Sequence, residues 1–253
     1  MKQHTTLKRV LILGGTTEAN DLANLLAEDN QLEVITSRAG VTKKRKTVAG
    51  QERVGGFGGI DGLKHYLRDK QISAVVDATH PFAQAMTAHA FQACTDLNIP
   101  HVILSRPTWI ETDADRWINV EDIEGALNHL RSCKKPWHAF ITTGQKELEA
   151  FTNIPHHKYL ARMIEQPELS PLPTNIKILF ERGPFSLANE IKLLQEHSID
   201  IIISKNSGGE ATAAKLQAAR KCHIPVLMIS RPELPPANVA ESPELARKWL
   251  SNQ

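Results

Sequence analysis

The sequence predicts an α/β protein with two lobes, each built on a parallel sheet flanked by helices. An uninterrupted apolar run at 10–13 is typical of a strand buried on both faces, as the strands of parallel sheets are. Further runs of this kind alternate with helical segments along the chain. The pattern restarts near residue 138, so we expect an N-terminal lobe over 1–134 and a C-terminal lobe over 135–253.

Composition restricts the class of protein. Of 253 residues, 41% are hydrophobic and 23% charged, which is ordinary for a soluble globular protein. The net charge of +2 provides no bulk positive field for nucleic acid, and no apolar segment is long enough to span a membrane. Cys94, Cys133 and Cys222 lack the spacing of metal ligands. We therefore expect a cytoplasmic protein with reduced cysteines and without a metal, a nucleic-acid partner or a membrane partner.

The first strand runs directly into a glycine turn and a helix. Gly14 and Gly15 allow a sharp turn and let a ligand approach the backbone closely. Thr16 or Thr17 is expected to cap a helix beginning near Glu18, whose first N–H groups favour a phosphate. The stretch lacks the G-x-G-x-x-G spacing, so a tight turn that binds nothing is the alternative. We interpret it as the start of a Rossmann-like nucleotide-binding lobe.

The second strand, predicted over 32–36, ends at Ser37 and Arg38. In a Rossmann-like lobe this end lies beside the adenosine ribose, where an acidic residue favours a free 2′-hydroxyl and a basic residue accommodates a 2′-phosphate. The sequence therefore favours NADP over NAD. Basic residues continue beyond the strand, and a solvated loop is the alternative interpretation of this run, which comprises Lys43, Lys44, Arg45 and Lys46.

Further polar residues follow the later strands of the first lobe. A glycine-rich loop at 54–59 precedes a helix that Asp61 is expected to cap. The next buried strand leads to Thr79 and His80, at the carboxyl end where open α/β sheets bind ligands. His80 is thus a candidate to contact cofactor or substrate, although a lone histidine is more often structural. Arg106 follows the strand after that.

The two predicted lobes show signs of duplication. Ile99-Pro100 recurs as Ile224-Pro225, and Ser105-Arg106-Pro107 recurs as Ser230-Arg231-Pro232, with the same offset of 125 residues. Ordered matches of this kind indicate a repeated architecture. Two Rossmann-like lobes that face each other would form an interlobe cleft, into which the strand ends of both lobes would point.

The second lobe contains its own candidate anion site. A buried strand at 199–203 leads into the loop Ser204-Lys205-Asn206-Ser207-Gly208-Gly209. Backbone N–H groups, a lysine and small hydroxyls together suit a phosphate or a carboxylate. An ordinary loop with a helix cap is the alternative interpretation.

In combination, these stretches resemble the precorrin-6A reductase family. The most distinctive are Asp-Ala-Thr-His-Pro-Phe-Ala at 77–83 and Ser-Lys-Asn-Ser-Gly-Gly at 204–209. The family often has Ser-Leu-Ala-Gly-Arg-Thr after its second strand, whereas this chain has Ser-Arg-Ala-Gly-Val-Thr at 37–42. The similar stretches cover almost the whole chain in the family's order and lie at 14–19, 54–59, 77–83, 106–109, 142–144, 162–165, 182–185 and 204–209.

The resemblance implies an NADPH-dependent oxidoreductase of cobalamin biosynthesis, which reduces one ring double bond of precorrin-6A, or of its cobalt-bearing counterpart, to give precorrin-6B. The substrate is then a tetrapyrrole rich in carboxylates, which the arginine fork binds well. His80 is the candidate proton donor. The residues expected to bind NADPH are Gly14, Gly15, Thr16, Thr17, Ser37, Arg38, Thr79, His80, Lys205, Asn206, Ser207 and Gly208. The residues expected to bind substrate, each of which could instead form a surface ion pair, are Arg106, Arg162, Arg182, Lys205 and Arg231.

Two other classes are compatible with parts of the sequence. A short-chain dehydrogenase or epimerase also begins with Gly-Gly-Thr, but it needs a Tyr-x-x-x-Lys pair. Tyr159 has Lys158 before it and Met163 at the position of that lysine, which weakens this alternative. A two-lobed nucleotide-binding protein without catalysis would share the predicted cleft, and protection of the melting temperature by NADPH would distinguish it.

Overall fold

The computed structural model describes residues 7–40, 48–167, 169 and 171–253. The chain divides into two compact units. Unit 1 comprises Met1–Pro107 and Pro232–Gln253, and unit 2 comprises Thr108–Arg231. The basic run predicted at 43–46 lies outside the described residues.

Strands and helices alternate along the described residues. The strands are β1 (Lys8–Leu13), β2 (Leu32–Arg38), β3 (Gln51–Val54), β4 (Ala74–Asp77), β5 (His101–Leu104), β6 (Trp117–Val120), β7 (His138–Ile141), β8 (Lys158–Met163), β9 (Ile176–Phe180), β10 (Ile201–Lys205), β11 (Val226–Ile229) and β12 (Asn238–Ala240). The α-helices are α1 (Thr17–Leu26), α2 (Gly59–Asp69), α3 (Gln84–Leu97), α4 (Ile123–Ser132), α5 (Leu148–Phe151), α6 (Leu187–Glu196), α7 (Ala214–Cys222) and α8 (Pro243–Leu250). Among these helices, all within the described residues, none has the length and apolar character needed to cross a bilayer.

Unit 1 contains a sheet of six parallel strands in the order β12-β5-β4-β1-β2-β3. The central position of β1 explains its apolar run. Val10 and Ile12 pack into one core with residues of α1 and α8, whereas Leu11 and Leu13 pack into another with residues of α2 and α3. Both faces of the strand are therefore covered, as an uninterrupted apolar run predicts.

The sheet of unit 2 is also parallel, with the order β6-β11-β10-β7-β8-β9. Counted from the strand before each glycine turn, β1 or β7, five strands of both sheets follow the order 3-2-1-4-5 of the doubly wound dinucleotide-binding fold, and a strand from elsewhere in the chain occupies the sixth position. The predicted α/β class with two Rossmann-like parallel sheets is confirmed. The cleft between the lobes stays a prediction.

One edge strand of each sheet comes from the half of the chain that forms the other sheet. Strand β6 follows β5 along the chain but pairs with β11, and β12 follows β11 but pairs with β5. The structure thus divides the chain elsewhere than the predicted boundary between 134 and 135, because 108–134 belong to unit 2 and 232–253 to unit 1. The physical reason is that pairing with a distant strand decides the division, and the local pattern of a short strand does not reveal its partner.

A buried histidine joins three segments of unit 2. The Nδ1 atom of His157 accepts a hydrogen bond from the backbone N–H of Trp137 at 2.9 Å, and its Nε2 atom lies 3.0 Å from the carbonyl oxygen of Leu130. These partners require a neutral ring with its proton on Nε2. Burial lowers the pKa of His157, which favours the same neutral form.

Candidate functional site

The glycine turn after β1 is fixed by the threonine that caps α1. The hydroxyl of Thr16 accepts from the backbone N–H of Ala19 at 3.1 Å and donates to the carbonyl of Ala78 at 2.8 Å. The helix begins at Thr17, so the predicted cap is confirmed. Gly15 has a φ of +130°, which favours glycine, and a Cβ atom added there would meet nothing within 4 Å. The turn therefore leaves open space in front of the helix N-terminus.

This turn lies at the switch point of the first sheet, since β1 stands between β2 and β4. Ligands of open α/β sheets bind beyond the carboxyl ends of the strands at this point. The fold brings three groups of predicted residues to this edge: the turn after β1, Ser37 and Arg38 at the end of β2, and Thr79 and His80 after β4. The backbone N–H of Gly14 donates to the carbonyl of Ser37 at 2.7 Å, which joins two of these groups directly.

Arg38 lies at the end of β2 with its guanidinium held by polar partners. It donates to Oδ1 of Asn20 at 2.8 Å, and its Nε lies 3.2 Å from a carboxylate oxygen of Glu52. Its side chain is 10% exposed and that of Glu52 is 33% exposed. The cation is thus held in place at the end of β2, the position that lies beside the adenosine ribose in dinucleotide-binding folds of this type.

A second arginine, which the sequence analysis did not single out, holds the glycine-rich loop. Arg53 donates to the carbonyls of Gly55 and Gly56 at 2.5 and 2.7 Å and to the hydroxyl of Ser37 at 3.1 Å. Its guanidinium lies 3.8 Å from the ring centroid of Phe57. A basic residue two positions before a Gly-Gly-Phe sequence was the only signal available. With these contacts, Arg53 shapes the loop, and Arg38 is the better candidate for a phosphate contact.

The helix after this loop begins earlier than predicted. Gly58, in the left-handed region with a φ of +81°, occupies the N-cap position of α2, and no side chain caps the helix. The expectation that Asp61 caps it is wrong, because Asp61 lies inside the first turn. A carboxylate there interacts favourably with the helix dipole without acting as a cap.

The end of β4 is fixed by a buried carboxylate. Asp77 is buried, and its Oδ1 accepts from the backbone N–H and the hydroxyl of Thr79, at 3.1 and 2.7 Å. Burial, and to a smaller extent the charge of Asp77, raises the pKa of the Cys94 thiol to about 12. Beyond Thr79, the exposed His80 ring accepts from the N–H of Phe82 through Nδ1, at 3.3 Å, so that the neutral ring carries its proton on Nε2.

Arg106, predicted to bind substrate, pairs with the first turn of α1. Its Nη1 atom lies 2.6 Å from a carboxylate oxygen of Glu18, and both side chains are largely buried. Glu18 would repel an anion at the helix N-terminus, and Arg106 offsets that charge. The structure therefore connects Arg106 with the glycine turn.

In unit 2, the loop after β10 is held by residues of the same unit. Lys205 pairs with Glu147 at 2.5 Å. The side-chain amide of Asn206 accepts from the backbone N–H of Trp109 at 2.8 Å and donates to its carbonyl at 3.1 Å. Arg231 donates to the carbonyl of Ser207 at 3.0 Å. These contacts give the loop a fixed shape, and its predicted ligand role stays a prediction.

The two remaining predicted substrate arginines differ in their surroundings. Arg162 is buried and forms two hydrogen bonds with Glu190, at 2.7 and 3.2 Å. Its guanidinium also lies 3.9 Å from the ring centroid of Phe185. Arg182 is exposed and lines a cavity of about 430 Å³ beside β9 and α6. A second cavity, of about 70 Å³, is lined by Lys215, a buried lysine of α7 that the sequence analysis did not single out.

Tyr159 does not have the surroundings of a catalytic acid. Its ring is completely buried, and its hydroxyl donates to the carbonyl of Ile154 at 3.0 Å. Burial raises its pKa far above the ordinary value. This observation counts against the dehydrogenase or epimerase alternative, which needs an accessible tyrosine.

The fold and the strand-end residues define a dinucleotide-binding class of α/β protein. The model of the family described as "Precorrin-6x reductase CbiJ/CobK" matches residues 9–251, and the chain belongs to this family. Its members are reductases, so the chain is an oxidoreductase, as the resemblance implies.

Individual comparisons agree with this assignment. The chain is similar to the precorrin-6A reductase of Rhodococcus erythropolis, with 42% identity over 91% of this chain and 92% of that protein. It is also similar to the cobalt-precorrin-6A reductase of Priestia megaterium, with 26% identity over 96% of this chain and 98% of the relative. The solved structure of CobK precorrin-6A reductase superposes with a TM-score of 0.90, at 37% identity, over 97% of this chain and 96% of that chain.

Proposed function

We propose that the protein catalyses the NADPH-dependent reduction of one ring double bond of precorrin-6A to precorrin-6B in cobalamin biosynthesis. The observation that carries the proposal is a family match over residues 9–251 together with a glycine turn at the switch point of the first sheet. We place the reaction in the cytoplasm, where reduced cysteines are stable, and we expect neither nucleic acid nor a membrane to take part.

The first unit supplies groups that suit the pyrophosphate of a nicotinamide dinucleotide. The open space over Gly15 admits a ligand, and the first N–H groups of α1 favour an anion there. Gly14, Thr16 and Thr17 complete this turn. Ser37 and Arg38 then form the ribose end, where a basic residue instead of an acidic one supports NADPH over NADH.

When bound, NADPH supplies a hydride to one carbon of the conjugated ring. The protein's task is to orient two flat ring systems and to exclude water from their contact. Thr79 and the loop residues Lys205, Asn206, Ser207 and Gly208 are proposed to hold the cofactor. His80 is proposed as the donor of the proton to the neighbouring carbon, since its exposed ring follows β4 at the switch point.

The basic residues are proposed to bind the acidic side chains of the tetrapyrrole. Arg162, Arg182, Lys205 and Arg231 all lie in unit 2, so this unit is proposed to supply most of the substrate contacts in addition to the loop residues proposed to hold the cofactor. Arg106 is the exception, because its partner Glu18 belongs to the cofactor turn.

We further propose that the substrate is cobalt-free precorrin-6A. The relative named precorrin-6A reductase is 42% identical to this chain, whereas the relative named cobalt-precorrin-6A reductase is 26% identical. Turnover of the two ring systems by the purified protein would decide between them, and a faster reaction with the cobalt form would reject this part of the proposal.

The proposed activity is tested by mixing the purified protein with precorrin-6A and either NADPH or NADH. We expect oxidation of NADPH, followed by its absorbance, together with a product two hydrogen atoms heavier by mass spectrometry. NADH should support a much slower reaction. An equal rate with NADH would overturn the 2′-phosphate assignment, and no product with either cofactor would overturn the proposed function.

A further inference from the structure

The turn between β4 and α3 carries His80, and hydrogen bonds fix the point from which this turn starts. Both backbone groups of Ala78 are bound to residues at the end of β1 and in the turn that follows it. The N–H of Ala78 donates to the carbonyl of Leu13 at 2.9 Å, and its carbonyl accepts from the hydroxyl of Thr16 at 2.8 Å. The conformation of the next residues therefore decides where His80 lies.

Asp77 restrains the residue directly before His80. One carboxylate oxygen, Oδ1, accepts from both the backbone N–H and the hydroxyl of Thr79, at 3.1 and 2.7 Å. An aspartate that binds the backbone two residues further along forms a local turn. Asp77 is only 1% exposed, so water does not compete for this oxygen. Without the carboxylate, both groups of Thr79 would need other partners, and the turn would lose its local restraint.

The position of Asp77 in the sheet makes a polar side chain costly there. In the register of the strands it stands between Leu13 of β1 and Ile103 of β5, which are both apolar and buried. Its Oδ2 atom is buried too and, within the part of the chain that the structure describes, has no hydrogen-bond partner. Burying a polar oxygen without a partner is unfavourable, and an apolar residue would suit the sheet better. The aspartate is therefore better explained by the turn that it holds than by packing.

The other side of the turn is tied to the start of α3. The Nδ1 atom of His80 accepts from the N–H of Phe82 at 3.3 Å, and the carbonyl of His80 accepts from the N–H of Ala83 at 2.7 Å. Helix α3 then begins at Gln84. The ring and the backbone of His80 are thus held from the helix, and Asp77 holds the same turn from the strand.

We propose that Asp77 is a positioning residue for the reaction, which holds His80 through Thr79 in the orientation needed for proton transfer. Because its side chain is buried, it acts without touching substrate or cofactor. A displacement of about 1 Å at a reacting group can cost roughly a hundredfold in rate, and a well-placed acid contributes roughly 10²–10⁴-fold. This inference rests on the proposed function, since His80 donates a proton only in that reaction.

The kinetic test compares kcat for the reduction of precorrin-6A at saturating NADPH. Asp77→Ala should lower kcat at least about tenfold. Asp77→Asn keeps an acceptor oxygen for Thr79 and should recover most of that loss. Adding Asp77→Ala to His80→Ala should lower kcat no further, because the first residue acts through the second. Asp122→Ala is the matched control, since it removes a carboxylate that accepts from a backbone N–H at the start of α4, and it should leave kcat unchanged.

Hydrogen exchange measures the restraint of the turn without the reaction. The amide of Phe82, which donates to His80, should lose its protection in Asp77→Ala and regain it in Asp77→Asn. The amide of Val76 in β4 should exchange at the same rate in all three proteins, because a general loss of stability would accelerate both amides. If Asp77→Ala does not fold, Asp77→Val, which suits the apolar neighbours, replaces it with the same expectations.

Several results would overturn the proposal. These are a further loss of kcat in the double variant, full activity of Asp77→Ala or of His80→Ala, no recovery in Asp77→Asn, and unchanged protection of Phe82. A wild type that forms no product with either cofactor would instead reject the proposed function. The exchange of Phe82 would then still decide whether Asp77 holds the turn.

Discussion

Glu190→Gln removes the negative partner of a buried guanidinium, and we expect a large loss of stability. The side chains of Arg162 and Glu190 are 7% and 3% exposed. Glu181 also approaches Arg162, at 3.3 Å, but its side chain is 41% exposed and compensates less. Breaking a buried pair by removing one charge costs about 3–5 kcal/mol. At roughly 2–4 °C per kcal/mol for chains of this size, the expected fall in Tm is about 6–20 °C.

Differential scanning calorimetry measures this fall, and an exposed ion pair of the same unit provides the control. Arg131 and Glu124 lie only 2.5 Å apart, but their side chains are 43% and 58% exposed. Solvent screens that pair, so Glu124→Gln should cost less than about 1 kcal/mol in spite of the shorter distance. If both variants lower Tm equally, burial does not decide the strength of these pairs, and the reasoning fails. Replacing Arg162 and Glu190 together by methionine should recover most of the loss.

Three further predictions follow from the site and the core. Arg38→Ala removes a charged contact, so the KM for NADPH should rise about tenfold or more while the KM for NADH stays unchanged. An equal rise in KM for both cofactors would mean that the 2′-phosphate binds elsewhere. Arg106→Ala should weaken NADPH binding, measured by calorimetric titration, and adding Glu18→Gln should restore part of it; if instead only substrate binding changes, Arg106 serves the substrate. The pKa of His157 is lowered in the folded state, so the unfolded chain binds more protons below about pH 6.5, and the free energy of unfolding decreases as pH falls, by up to about 1.4 kcal/mol per pH unit for this group. Urea denaturation should therefore show a shallower dependence of that free energy on pH for His157→Gln. An unchanged slope would assign the dependence to other groups.

Local chemistry allowed much of the first unit to be predicted. The apolar run of β1, the glycine turn and the cap at Thr16 depend on neighbours in sequence, and the structure confirms each of them. The prediction that Asp61 caps α2 was wrong because an acidic residue near a helix start resembles a cap. In the structure the N-cap position is already taken by Gly58, a glycine in the left-handed region.

The rest depended on contacts between distant residues. The sequence shows Arg162 at a strand end but not Glu190, 28 residues later, which binds it. A lysine in a helix is normally expected to face solvent, so Lys215 gave no signal until the packing of α7 buried it. The division of the chain depended in the same way on which strands β6 and β12 join.

The exchanged sixth strands also affect the order in which the protein can be completed during synthesis. Register places Val102 of β5 beside Asn238 of β12, so the outer edge of β5 stays without its neighbour until residues near 240 have left the ribosome. A fragment cut at residue 134 would carry β6 without β11 and would lack β12, leaving the backbone N–H and carbonyl groups of β5 exposed. Such a fragment should associate with other chains through that edge, and the two halves should fold best when they are made as one polypeptide.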